Sequence, residues 1–210
     1  MNDFRIKTCV LGPLSTNCYI LYRQGGKECV VVDPADNEEY IANCCQELGM
    51  LPTAVVLTHG HFDHIMAVND LKRIFRAKVY AGANETELLG SATVNLSWQS
   101  LGQSFSVSVD ETLREGQEFE LLGVKWTALA TPGHTAGSMC YYIGEEGILL
   151  SGDTLFCESY GRTDLPTGSQ AQIADSIRGK LFALPEDTMV YPGHGDPTTI
   201  GHEKMYNPMA

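Results

Sequence analysis

The sequence predicts an α/β fold with helices covering its sheets. Short apolar runs rich in β-branched residues recur along the chain, each bounded by turn residues. Stretches with helical spacing separate them. The order strand–strand–strand–helix–strand–helix–strand, with more strands later, fits sheets that carry helices on their faces.

The strands are read at Phe4–Leu11, Cys18–Tyr22, Glu28–Asp33, Ala54–Thr58, Lys78–Ala81, Val124–Thr131, Met139–Gly144, Ile148–Ser151 and Thr188–Tyr191. Gly25-Gly26 and Gly144–Gly147 supply hairpin turns between neighbours. The first helix is capped at Asp36, with Glu39 three residues on, and runs to Leu48-Gly49. A second covers His64–Phe75, where Ile65, Val68, Leu71, Ile74 and Phe75 share a face. A third covers Gln170–Phe182, with Ile173, Ile177 and Leu181 inward, and a last helix begins near Thr198–Lys204. Ser91–Asp110 mixes Asn, Ser, Gln and Gly with Trp98, Leu101 and Phe105. Such a segment is either a lid or binding loop or a surface meander.

Composition narrows the function. The chain has 210 residues, 43% hydrophobic and 19% charged, enough for a packed core in one domain spanning 1–210. A net charge of −12 argues against nucleic acid as a partner. No apolar run reaches the ~18 residues of a membrane span, and Ile6–Leu11 is too short for a signal-peptide core. The expected compartment is the cytoplasm. Seven cysteines without a CxxC pair read as reduced core thiols. A reactive Cys157 is the minority reading, resting on its nearness to the site below.

Three of the six histidines fall in His59-Gly60-His61-Phe62-Asp63-His64. They follow the buried run Ala54-Val55-Val56-Leu57. His134 follows Val124–Thr131 through Pro132-Gly133, Asp153 follows Ile148-Leu149-Leu150 through Gly152, and His194 follows Met189-Val190-Tyr191 through Pro192-Gly193. Four strands thus end in His or Asp just past a short turn. Strands with the same edge up would bring all seven side chains to one rim.

Imidazole and carboxylate without thiolate suit zinc first, with iron or manganese as the other candidates. Seven ligands fit two divalent ions. His59, His61 and His134 take the first, Asp63, His64 and His194 the second, and Asp153 bridges. Three histidines on one ion leave an open position, the mark of a catalytic site. Two divalent ions carry more charge than Asp63 and Asp153 cancel, so a bridging water ionises near neutral pH. His202, the sixth histidine, stays outside this set.

These residues resemble the metallo-β-lactamase-fold hydrolase superfamily, through Thr58-His-x-His-x-Asp-His64 followed in order by His134, Asp153 and His194. The likeness runs from Asn17-Cys18-Tyr19-Ile20-Leu21 to Thr199-Ile200-Gly201. It implies a four-layer αββα sandwich with the dimetal site along one edge of the two sheets. Gly152–Phe156 and Gly161-Arg162-Thr163-Asp164-Leu165-Pro166 resemble glyoxalase II, the hydroxyacylglutathione hydrolases, in a short form without the C-terminal helical domain. That likeness implies hydrolysis of a small-molecule thioester such as S-lactoylglutathione, by attack of a bridging hydroxide. Asp63 and Asp153 are the catalytic carboxylates, Asp63 also receiving the nucleophile's proton.

Arg162 matches the basic residue with which the family holds the glutathione carboxylate, although a rim Arg can as readily pair with Asp164. Two companion tyrosines are replaced, by Asp164 and by Asp196. These departures imply weak glutathione binding or a different thioester. A mono-iron persulfide dioxygenase is the alternative, resembling Gly161–Asp164 and keeping the histidine cluster. Pro192-Gly193-His194-Gly195 leans toward the hydrolases. A lactone is a fair substrate for the same hydroxide, and a nuclease is opposed by the acidic charge.

Overall fold

The structure, a computed structural model, describes residues 3–210. Six strands form the first sheet in sequence order: β1 (Phe4–Leu11), β2 (Thr16–Arg23), β3 (Glu28–Val32), β4 (Leu51–Val56), β5 (Lys78–Gly82) and β6 (Glu111–Leu113). The second sheet takes β7 (Glu118–Leu121), β8 (Val124–Ala130), β9 (Met139–Ile143) and β10 (Ile148–Gly152). A small hairpin, β11 (Leu155–Phe156) with β12 (Ser159–Tyr160), stands beside it. β13 (Met189–Pro192) and β14 (Thr198–Thr199) complete the order β14-β13-β10-β9-β8-β7.

Strands β2 and β3 alternate between two buried faces, which is why they read as unbroken apolar runs. Tyr19, Leu21, Val30 and Val32 point into a core shared with Trp126, Tyr141 and Leu150 of the second sheet. Ile20, Cys29 and Val31 point the other way. They pack on α1 (Glu38–Glu47) through Ile41, Cys44 and Cys45, and on a later helix through Val68 and Leu71. On the far face of the second sheet, Cys140, Leu149 and Val190 meet Ile173, Ile177 and Ile200. The result is helix, sheet, sheet, helix: the expected four-layer αββα arrangement. Each fully buried aliphatic side chain contributes about 1.5–3 kcal/mol to it.

The helices depart from expectation in places. The cap of α1 is Asn37, whose side chain accepts from Tyr40 N at 3.0 Å, not Asp36. Asn37 sits at φ 54, a left-handed conformation that Asn tolerates well. The expected single helix over His64–Phe75 is two: α2 (Phe62–Ile65) and α3 (Val68–Phe75). The break arises because Ala67 N donates to Pro34 O at 3.0 Å instead of into its own helix. Two short helices follow, α4 (Thr86–Leu89) and α5 (Ser97–Leu101), the latter inside the irregular 91–110 segment. Helix α6 (Gln170–Gly179) gives way to a 3-10 turn at Leu181–Ala183, and α7 (Ile200–Tyr206) follows β14. Among the described residues no helix is long and apolar enough to cross a membrane.

Strands β3, β4 and β5 run parallel, as do β10 and β13, so each set ends on one edge. Backbone bonds stitch the edges together: Met139 N to Thr58 O at 2.8 Å and Asn17 N to Gly193 O at 2.7 Å. Tyr141 reaches across the inner core, its hydroxyl donating to Leu57 O at 2.8 Å. This seam fixes the distance between loops that carry the candidate ligands.

Candidate metal centre

All seven predicted side chains meet at the seam. His59, His61 and His134 bring one ligand atom each within 4.8 Å of one another, and so do Asp63, His64 and His194. Asp153 stands between the groups. Its Oδ2 lies 3.6 Å from His134 Nε2 and 3.4 Å from His194 Nε2, and its Oδ1 lies 3.4 Å from His64 Nε2.

Outer partners decide which ring nitrogen faces inward. His64 Nδ1 is 3.0 Å from Asp33 Oδ2, His134 Nδ1 is 2.8 Å from Arg162 O, and His194 Nδ1 is 3.2 Å from Leu14 O. A ring whose Nδ1–H donates outward keeps a bare Nε2 lone pair for the centre, the arrangement metal-binding histidines use. Beside them are buried atoms with no hydrogen-bond partner: His59 Nε2, His61 Nε2 and Asp153 Oδ1. Buried polar atoms are normally paired. His61 Nδ1 and His134 Nε2 approach to 2.9 Å, two nitrogens aimed at shared space. Neutral imidazoles and carboxylates without partners, converging in this way, fit a pair of divalent cations.

Charge divides the site. Burial and the neighbouring histidines hold His59 far below the usual imidazole range and lower His61 to about 3. Both are therefore neutral. On the other side burial also disfavours charge, yet Asp63 and Asp153 outweigh it and push His64 well up. His194 rises to about 9, burial again being overcome by Asp153 and Asp63. Asp63 and Asp153 are themselves held low, burial being outweighed chiefly by His64. The two carboxylates demand positive charge, which divalent cations would supply in place of protons.

Close packing leaves no slack. A Cβ at Gly193 would collide with Asp153 Oδ1 and come within 2.8 Å of His64 Cε1, so only glycine fits beside the carboxylate.

Several supporting residues went unread in the sequence. Asp33, at the end of β3, accepts from Thr58 N at 2.8 Å and Thr58 Oγ1 at 2.6 Å as well as holding His64. Its carboxylate is thus engaged, although it lies near His59 and His64. The strand-end signal used for Asp153 would have found it. Thr16 Oγ1 donates to Asp63 Oδ2 at 3.0 Å. Asn17 donates to Pro192 O and Gly195 O, bracketing His194. Glu85, just after β5, is buried. It accepts from Gly60 N and Thr135 Oγ1, both at 2.9 Å, and so ties the His59–His61 loop to the His134 loop. Burial pushes its carboxyl up to about 7 against those hydrogen bonds.

Arg162 lines the cavity above the centre, but its guanidinium holds Asp164 with two bonds of 2.7 Å. Leu96, Ser100 and Leu101 line the same cavity, so the 91–110 segment is a cavity wall rather than a remote meander. His202 pairs with Glu158 at 3.0 Å, outside the centre. Six cysteines are buried and free, and only Cys157 is exposed. Burial and the Glu203 carboxylate raise the Cys157 thiol, the opposite of an activated nucleophile.

Comparison with known proteins agrees with this geometry. Residues 11–194 match the model of the metallo-beta-lactamase superfamily. YqgX of Bacillus subtilis, named a probable metallo-hydrolase, is 36% identical over 94% of this chain and 93% of its own length. The hydroxyacylglutathione hydrolase GloC of Haemophilus influenzae is 33% identical over 91% of each chain. Among solved structures, the BLEG-1 B3 metallo-beta-lactamase superposes with a TM-score of 0.92 at 37% identity, covering 97% of this chain and 98% of that one. TTHA1623, solved in a di-iron-bound form, gives 0.85 at 34%, covering 97% and 100%. With its αββα layers and its rim of histidines and aspartates, the chain belongs to the metallo-beta-lactamase superfamily.

Proposed function

We propose that this chain is a dinuclear metal-dependent hydrolase of small thioesters. The observation that carries the reading is the convergence of two three-ligand groups on the shared carboxylate of Asp153. The likeness to GloC supports a thioester as substrate. His59, His61 and His134 would hold one ion, Asp63, His64 and His194 the other, with Asp153 between. Such ions supply Lewis acidity and a water of lowered pKa.

The reaction forms one C–O bond at the acyl carbon and breaks the C–S bond. Water provides the oxygen, a carboxylate forms, and the thiol departs with one of the protons. The chain's own part is to place these atoms. Asp63 borders the cavity, and Thr16 and His194 fix its Oδ2. We assign to the Asp63 carboxylate the proton released by water. Asp153 keeps the two halves of the floor in register.

The test is metal analysis of the purified protein beside a thioester hydrolysis assay. Two divalent ions per chain, zinc or otherwise, with thioester cleavage is the expected result. One iron per chain with oxygen uptake on glutathione persulfide would transfer the chain to the dioxygenase reading. The histidine cluster is common to both readings, and Pro192-Gly193-His194-Gly195 leans toward the hydrolase.

A further inference from the structure

Above its polar floor the cavity, about 780 Å³ in volume, has an apolar wall. Leu14 comes from the β1–β2 turn, Leu96 and Leu101 from the segment around α5, Phe156 from the β11–β12 hairpin, and Leu165 from the loop before α6. None is fully buried, and Leu14 is 53% exposed. Apolar groups gathered around a catalytic floor and left in water gain free energy when a ligand covers them.

Charge at the wall points the same way. Among the described residues lining the cavity, Arg162 is the only Lys or Arg. Asp164 already grips it through both Nε and Nη2, and Arg162 in turn holds the Asp164 carboxyl at about 2. The Nη1 edge stays open, but a substrate carboxylate there must share the guanidinium with Asp164, which already cancels its charge. Glutathione carries two carboxylates, and the whole chain carries a net charge of −12. An uncharged apolar group meets neither obstacle.

We propose that the cavity selects thioesters with an apolar acyl body on an uncharged carrier over thioesters of carboxylate-rich thiols. The inference rests on the thioesterase reading for its reaction but not for its selectivity. The leucines cover the apolar body, and the Arg162–Asp164 pair forms a self-neutralised rim that gives a carboxylate no net attraction. Each methylene that leaves water on this wall strengthens binding by up to about fourfold.

Calorimetry on the metal-loaded protein with non-hydrolysable thioethers reads this without turnover. S-hexyl-N-acetylcysteamine is expected to bind at least about tenfold tighter than the S-ethyl compound, and no weaker than S-hexylglutathione. Equal binding of ethyl and hexyl probes, or tenfold tighter binding of S-hexylglutathione, would overturn the proposal. Leu101→Asn should bring the hexyl-to-ethyl ratio down. Asp164→Asn should strengthen S-hexylglutathione relative to the uncharged probe by up to about fivefold, the range of an exposed ion pair. An unchanged ratio would mean that Asp164 does not mask the guanidinium. Turnover of S-hexanoyl-N-acetylcysteamine and S-lactoylglutathione separates the remaining failures. Faster cleavage of the glutathione ester sinks the selectivity alone. Cleavage of neither, beside hexyl-selective binding, sinks the thioesterase reading alone.

Discussion

On the floor of the cavity, His64, His134 and His194 each have Nδ1 bound to a protein oxygen, and Asp63 is held by Thr16. On its wall, the Arg162 and Asp164 side chains are 63% and 67% exposed and grip each other, and Leu14 stands open to solvent. These four side chains of the floor are each aimed by a partner distant in the chain. The wall is built from turns, loops and the short elements α5 and β11, and its side chains are partly or fully exposed. In the proposed function the reaction thus belongs to the well-held floor and substrate choice to the exposed wall.

The sharpest way to break this contrast is to remove Asp153, the one carboxylate that touches both halves of the floor. Asp153→Ala is expected to lower metal content and to cost more than about 100-fold in activity, beyond what outer partners are worth. Atomic absorption on the purified variant beside a thioester assay checks both. Full turnover with normal metal content would remove Asp153 from its bridging place.

Removing an outer partner tests whether aim alone matters. Asp33 touches no inward nitrogen, yet it holds His64 Nδ1 and Thr58 together. Asp33→Asn keeps the size of the side chain but replaces an acceptor oxygen with a donor amide. A loss of about 10–100-fold in metal affinity or activity is expected. Competition with a metal chelator measures the affinity separately from turnover. Unchanged affinity would show that the ring of His64 is aimed by packing rather than by Asp33.

The floor was also the part most legible in the sequence. His59, His61, Asp63, His64, His134, Asp153 and His194 all stand just past apolar runs, where a buried strand reaches the rim. A local pattern is enough to find them. Asp33 ends the run Glu28–Asp33 and obeys the same rule, but a lone Asp before a proline is also common in turns and carries no ligand signal of its own. Glu85 had no such signal. Its partners, Gly60 and Thr135, are distant in the chain, and Asn84-Glu85-Thr86 reads as an ordinary helix start. The division of α2 from α3 was hidden for a related reason. Met66-Ala67 carries no helix breaker, and the interruption is imposed by Pro34 from another element. Strand β7 alternates charged and apolar residues over four positions and β6 is three residues long, both too brief for period alone to find them. What pairs only through tertiary contacts is invisible to spacing.

The wall gives the smallest effect, and Arg162 is where floor and wall meet. Its backbone carbonyl accepts from His134 Nδ1 while its side chain leans out to Asp164. Arg162→Ala leaves the carbonyl in place and deletes the guanidinium. Metal content should therefore stay at the wild-type level. With a carboxylate-bearing thioester KM should rise by up to about fivefold, the scale of an exposed ion pair, because Asp164 is left without its countercharge and repels the substrate, with kcat changed less. With an uncharged thioester the KM should move less than with the charged one. A fall in metal content would place the guanidinium in the support of His134 instead. Equal KM changes for both substrates would mean that Arg162 shapes the wall by its packing, since an unmasked Asp164 acts on the charged ligand alone.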